Sequence, residues 1–270
     1  SITHLMFDGI TRLLPCSAQD EARFRELGVP GEKIFTTGNI KLDVHIAPLG
    51  DAERARLRGE LGLPAGLVLL GSSTWPGEEE ALLDALRLTR ARGVRCALLL
   101  VPRHAERRGE IERLLRRSGL RFHFRSQGGA AGEVDVAVGD TTGELRKLTQ
   151  LADLVFVGKS LAPHTEGQTP VEAAALEKPI LFGPGMSNFR LIARDLVARG
   201  AAREVADPAA LVADAQELLR DATRREALAA AAGQWRRENG GAVERTLKVI
   251  REELAGLPEV PEKNDSRRTG

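Results

Sequence analysis

The residues best suited to chemistry fall in one stretch, "GKSLAPHTEGQTPVEAAALEKPILFGP", residues 158 to 184. It sets Lys159, Ser160, His164, Glu166, Gln168 and Thr169 between two apolar runs, just before a helix that opens at Pro170 and Glu172. Hydroxyls, a cation and a helix start suit a phosphate ester, whose oxygens take N–H and O–H donors while the helix dipole offsets its charge. Thr169 reads as the N-cap of that helix, with Pro170 in its first turn. Gly158-Lys159-Ser160 is not a P-loop, because the upstream glycine of G-x-x-x-x-G-K-[ST] is missing, so ATP hydrolysis fits poorly. Lys159 suits a phosphate or a carboxylate, and equally suits a solvated loop. Glu172 could accept both hydroxyls of a ribose, and dipole complementarity accounts for it equally well.

Four other loops have the same character. "GSSTWPGEEE" carries Ser72, Ser73 and Thr74; "VPRHAER" carries Arg103 and His104; "GDTTGEL" carries Asp140 and Thr141; "GPGMSNF" carries Asn188. Taken alone, Arg103 and His104 are better explained as a charged helix start, and Asp140 with Thr141 as the cap of a helix at 143 to 150. The five loops gain meaning together, because each follows a β-type run, and ligands of open parallel sheets bind beyond the carboxyl ends of the strands.

The elements that would position these loops alternate. β-type runs at 33–37, 67–72, 95–101, 121–124, 134–138, 154–157, 179–182 and 202–205 are separated mostly by helical patterns, which predicts a Rossmann-like parallel sheet covered by helices. Ser17 and Asp20 can cap a helix over 18–27, Asp51 the next, and Asp207 with Pro208 opens an almost wholly helical end. Glu78, Glu79 and Glu80 fall in a first helical turn, where carboxylates complement the dipole. Ile111, Leu114 and Leu115 form the apolar stripe of a helix after "VPRHAER". That segment, "RRGEIERLLRRSG", is basic enough to lie on anionic lipid, but a sheet-covering role accounts for it better.

Composition removes several classes. The 270 residues are 42% hydrophobic, with Lys+Arg 39 against Asp+Glu 38, so no global field draws the chain to nucleic acid and an anion site must be local. Cys16 and Cys96 match no zinc or redox spacing, no acidic cluster has metal-ligand spacing, and a reducing compartment fits. No apolar run approaches the ~20 residues of a spanning helix, and the first residues do not read as a signal peptide. No G-x-G-x-x-G follows an early strand, which argues against a dehydrogenase.

Together, "CSAQDEARFRELGVPGEKIFTTGNIKLD", "GSSTWPGEEE", "LLLVPRHAER", "VAVGDTTGELRKLTQLADLVFVGKSL" and "PVEAAALEKPILFGPGMSNF" occur in an order that resembles the C-terminal half of the 3-deoxy-D-manno-octulosonic acid (Kdo) transferases. The resemblance implies the donor-binding half of a GT-B glycosyltransferase that moves Kdo from CMP-Kdo to a lipid A precursor in lipopolysaccharide synthesis, at the cytoplasmic face of the inner membrane and without a cofactor or metal. The general base and acceptor surface would lie in an N-terminal GT-B half that precedes Ser1, so this soluble chain alone would not turn over. Residues 1–30 then read as the end of that half and the connection, 31–256 as the donor-binding domain, and 257–270 as a disordered tail.

By resemblance, Ser72, Ser73, Thr74, Arg103, His104, Asp140, Thr141, Ser160 and Asn188 match family positions around the donor, Glu78 matches the acidic helix start, and Glu172 matches the ribose glutamate. The donor loop departs from the commoner family form: Lys159 replaces the second glycine of Gly-Gly before Ser-Leu, and Glu166-Gly167-Gln168-Thr169 replaces Gly-Gly-His-Asn. Gln168 and Thr169 can still donate, and Lys159 adds charge suited to a sugar bearing a carboxylate. A UDP-sugar-dependent GT-B enzyme and a catalytically silent nucleotide-sugar binding fragment are the rival readings.

Overall fold

All but one of the β-type runs become strands of a seven-stranded parallel sheet. The computed structural model describes residues 7–256; the tail expected at 257–270 and the first six positions of the expected N-terminal connection lie outside them. In chain order the strands are β1 (Leu67–Thr74), β2 (Cys96–Pro102), β3 (Phe122–Phe124), β4 (Val136–Val138), β5 (Leu154–Val157), β6 (Ile180–Phe182) and β7 (Ala202–Glu204), laid side by side as β3-β4-β2-β1-β5-β6-β7. The helices are α1 (Ala18–Glu26), α2 (Asp51–Glu60), α3 (Glu78–Ala91), α4 (Arg108–Ser118), α5 (Leu145–Thr149), α6 (Val171–Ala175), α7 (Arg190–Ala198), α8 (Pro208–Arg220), α9 (Ala222–Asn239) and α10 (Ala242–Ala255).

The strands are near-continuous apolar runs because both faces of a parallel sheet are covered. Every residue of β2 is buried. Leu69, Leu98, Leu100 and Phe156 join Leu82 and Leu86 of α3 and Leu211 and Leu218 of α8 in one core, with Ile111 and Leu115 of α4 and Phe124 of β3 in the same cluster. Each fully buried leucine contributes about 1.5–3 kcal/mol.

Two expectations are corrected. The run at 33–37 forms only one parallel bridge, Leu13 with Ile34. Its pairing segment reaches Pro15, which has no N–H to extend the ladder. Asp51 is the first residue of α2 rather than its cap, and Gly50 at the cap position makes no side-chain bond. Elsewhere the caps follow the sequence: Ser17 accepts from the Asp20 N–H at 3.1 Å, and Asp207 from the Ala210 N–H at 2.8 Å.

The described residues form two compact units. The one running from Val44 to Glu238 holds the whole sheet. The other joins the chain up to Asp43 with the chain from Asn239 onward. Within it, the Asp43 carboxylate accepts from the N–H groups of Gly241 and Val243 at 3.0 and 2.8 Å and so caps α10 from a distant position in sequence. Arg245 donates to the Thr37 carbonyl at 2.9 Å.

Candidate functional site

β1 pairs with β2 on one side and β5 on the other, so the strand order reverses between them. That reversal opens a crevice beyond the carboxyl ends of the strands, where ligands of such sheets bind. The loop after β1 brings Trp75 there, and the long loop after β5 brings Lys159 and His164.

The two loops are joined through Glu78. Its carboxylate, 1% exposed, accepts the backbone N–H groups of Trp75, Lys159 and Ser160, each at 2.9 Å, and of Leu161 at 3.2 Å. Four donors on one buried carboxylate satisfy its charge without a side-chain cation. Gly158 makes this approach feasible, since a Cβ there would lie 2.5 Å from the Ser73 carbonyl oxygen and 2.8 Å from Glu78 Oε2. Ser160, expected beside the donor, is fully buried: its hydroxyl donates to the Val157 carbonyl at 2.6 Å and accepts from the Gly183 N–H at 2.8 Å. It fixes the loop from within.

Above this anchor lies Trp75, edge-on to His104 with ring centroids 5.1 Å apart and tilted against His164 at 5.4 Å. The Lys159 ammonium sits 4.5 Å from the Trp75 ring centroid and 3.6 Å from a Glu166 oxygen. A cation over an indole face is held by the ring quadrupole, which aims Lys159 while leaving it able to meet an anion. Lys159 adopts φ +57, a left-handed conformation where glycine is the easier residue.

Beside it, Ser73, Arg103, Asp140 and Thr141 line a cavity of about 120 Å³. Ser73 has φ +54, which turns the chain at the end of β1. The Arg103 guanidinium has no partner among the described residues. Asp140 does not cap the next helix: its carboxylate accepts from the Ser126 N–H at 2.9 Å and from Arg108 at 3.0 Å. Thr141 bonds Glu144 instead, and α5 starts at Leu145 without a side-chain cap. Ser72 and Thr74 are buried along β1. Beneath them, burial pushes the Glu79 carboxyl up, against Arg107 at 2.8 Å.

After the long loop that follows β5, α6 has five residues and begins at Val171, with Pro170 in the cap position. Thr169 is one residue too early to cap it as expected; its hydroxyl accepts from the Val171 N–H at 3.3 Å. The Gln168 N–H closes the loop onto the Gly158 carbonyl at 3.0 Å, and its side-chain amide has no partner among the described residues. Glu172 is half-buried and accepts from Arg146 at 2.8 Å. Asn188 is exposed, with its N–H on the Glu166 carbonyl at 3.0 Å.

No protein-family model matches the chain. It is 34% identical over 251 residues to the 3-deoxy-D-manno-octulosonic acid transferase of Bordetella pertussis, covering 91% of this chain and 57% of that protein. The same identity to the Haemophilus influenzae enzyme covers 87% and 56%. Among solved structures, the C-terminal CMP-Kdo binding domain of WaaA from Acinetobacter baumannii superposes with TM-score 0.62 at 28% identity, covering 68% of this chain and 95% of that domain.

This chain is related to the Kdo transferases. It spans little more than half the length of these two curated relatives. Alr3699/HepE of Anabaena, solved with UDP and glucose, aligns at TM-score 0.55 and 19% identity over 92% of this chain and 63% of its own, a likeness of fold alone. The architecture is that of the C-terminal half of a GT-B glycosyltransferase.

Two side chains that residue order does not mark stand out at this edge. Trp75, the residue after β1, carries no charge or hydroxyl to mark it. Glu78 looked like a helix-dipole acid, and only the adjacency of β1 and β5 shows that it grips the other loop.

Proposed function

We propose that the chain is the donor-binding half of a glycosyltransferase that moves Kdo from CMP-Kdo to a lipid A precursor in lipopolysaccharide core synthesis. The observation that carries this reading is the likeness to a CMP-Kdo binding domain over 95% of that domain's length. The positions of the loops support it. Arg103 and His104 of the loop after β2, Lys159 and Gln168 of the loop after β5, and Glu172 of α6 all lie at the carboxyl edge of one sheet.

In this reading Glu172 accepts the ribose hydroxyls, Arg103 and Lys159 offset the phosphate and the sugar carboxylate, and Ser73, Thr141, Gln168, Thr169 and Asn188 complete the polar lining. Asp140 lines the cavity beside Arg103, and Ser160, Ser72 and Thr74 shape the loops from behind. An acceptor hydroxyl, deprotonated by a base of the N-terminal half, attacks the anomeric carbon as its bond to the phosphate oxygen breaks and CMP departs with that electron pair. Guanidinium and ammonium groups placed where charge develops favour that departure. The acceptor, the N-terminal half and a place at the cytoplasmic face of the inner membrane belong to the same proposal.

The test is saturation-transfer NMR of CMP-Kdo with the chain. Strong transfer to the ribose protons, lost in Glu172→Ala, is the expected result. Equal transfer in wild type and variant removes Glu172 from the ribose, and no transfer at all sinks the donor-binding reading.

A further inference from the structure

We propose that α7 and the cavity beside it bind the phosphate headgroup of an anionic lipid, so that this chain itself docks on a membrane surface. The proposal deepens the reading above by giving the donor-binding half its own contact with the membrane that holds the acceptor.

A cavity of about 520 Å³ lies between the loops after β5 and β6; it is distinct from the one beside Arg103 but shares His164 with the Trp75 cluster and is also lined by Thr165. Pro163, Met186 and Ala193 give it apolar walls, and Arg190, Arg194 and Glu204 give it charge. Arg190 and Arg194 stand one helical turn apart on α7, and neither guanidinium has a partner among the described residues. Their neighbours on the same helix do: Asp195 takes Arg199 at 2.8 Å and the Trp235 indole N–H at 2.7 Å. Glu204 is the one carboxylate lining the cavity, so two cations face one anion.

Leu191, 76% exposed, and Val197, 40% exposed, flank Arg194 on the outer face of α7. An outward leucine between unpaired arginines is poorly matched to water and well matched to a lipid interface, where the apolar side chain enters the acyl boundary and guanidiniums take phosphate oxygens in pairs. No helix of the described residues is long and apolar enough to span a bilayer, so this contact would be peripheral.

The basic helix α4 lacks this pattern. Ile111 and Leu115 of α4 are buried against the sheet, and Arg107, Arg108 and Arg116 are paired with Glu79, Asp140 and Glu112. Arg113 and Arg117, exposed on α4, are therefore the control.

The experiment is co-sedimentation of the full chain with vesicles of phosphatidylcholine alone or mixed with phosphatidylglycerol. The proposal expects binding to the anionic vesicles only, weakened about tenfold or more by Arg190→Gln/Arg194→Gln, weakened also by Leu191→Ser, and unchanged by Arg113→Gln/Arg117→Gln. These side chains are exposed, so the variants should keep the wild-type melting curve. Absence of binding, equal binding to neutral vesicles, or equal loss in the α4 control overturns it. So does displacement by millimolar glycerol 3-phosphate, which would make the cavity a site for soluble phosphate. CMP titration of the same variants should match wild type, which separates failure here from failure of the donor-binding reading.

Discussion

The Glu78 carboxylate accepts the Ser160 N–H at 2.9 Å across 82 residues of sequence, and through this bond the helix after β1 holds the loop after β5. The loop that carries Lys159 is therefore shaped by a buried carboxylate on another element.

Replacing Glu78 with Gln keeps the volume but removes the charge and turns one acceptor into a donor facing backbone N–H groups. Four donors then compete for one remaining oxygen. We expect a loss of about 2–3 kcal/mol in stability, because buried N–H groups left unpaired cost that much. Urea unfolding of Glu78→Gln measures it, and a change below the scatter of replicate curves would mean that the loop is held elsewhere.

Lys159 combines a left-handed backbone with a charged tip over Trp75. Lys159→Ala and Lys159→Gly both lose the ammonium and differ in backbone freedom. The glycine variant should be more stable than the alanine variant by about 1 kcal/mol. Both should bind CMP-Kdo more weakly than wild type by a similar factor. Equal stability of the two would show that φ is relaxed in solution, and unchanged affinity would place Lys159 outside the site.

How much of this the sequence discloses depends on range. Apolar runs and their flanking caps are local, so β1 to β7 and the caps at Ser17 and Asp207 can be read directly from residue order. The five loops at the carboxyl edge follow from strand polarity, which is why the segments carrying Arg103, Lys159 and Glu172 can be placed at that edge from residue order alone. Partners far apart in sequence could not be read in this way. Asp140 turns to Ser126 and Arg108, Ser160 turns inward to Gly183, and residues 33–37 fail as a strand because the segment they meet carries Pro15. Trp75 was hidden differently, because an aromatic after a strand reads as packing until its two histidines and a lysine are placed around it.

Away from the site, Asp135 fixes the amino edge of the sheet by accepting from Arg90 at 2.6 Å and from the Arg121 N–H at 2.8 Å. Burial pushes its carboxyl up, but the bonds from Arg90 and Arg121 outweigh that and hold it below the usual range. A depressed folded value means stability that is complete above the unfolded pKa of about 3.9 and is lost as pH falls through the folded one. Asp135→Asn should cost about 1–2 kcal/mol at neutral pH and flatten the acid limb of a stability-against-pH curve. An unchanged acid limb would assign the loss to other carboxylates.

The most direct measurement is calorimetric titration of the chain with CMP, with UDP as the comparison and Glu172→Ala as the variant. The account predicts that CMP binds in preference to UDP and that the variant loses most of that binding. A preference for UDP, or no binding of either nucleotide by the wild-type chain, would contradict it.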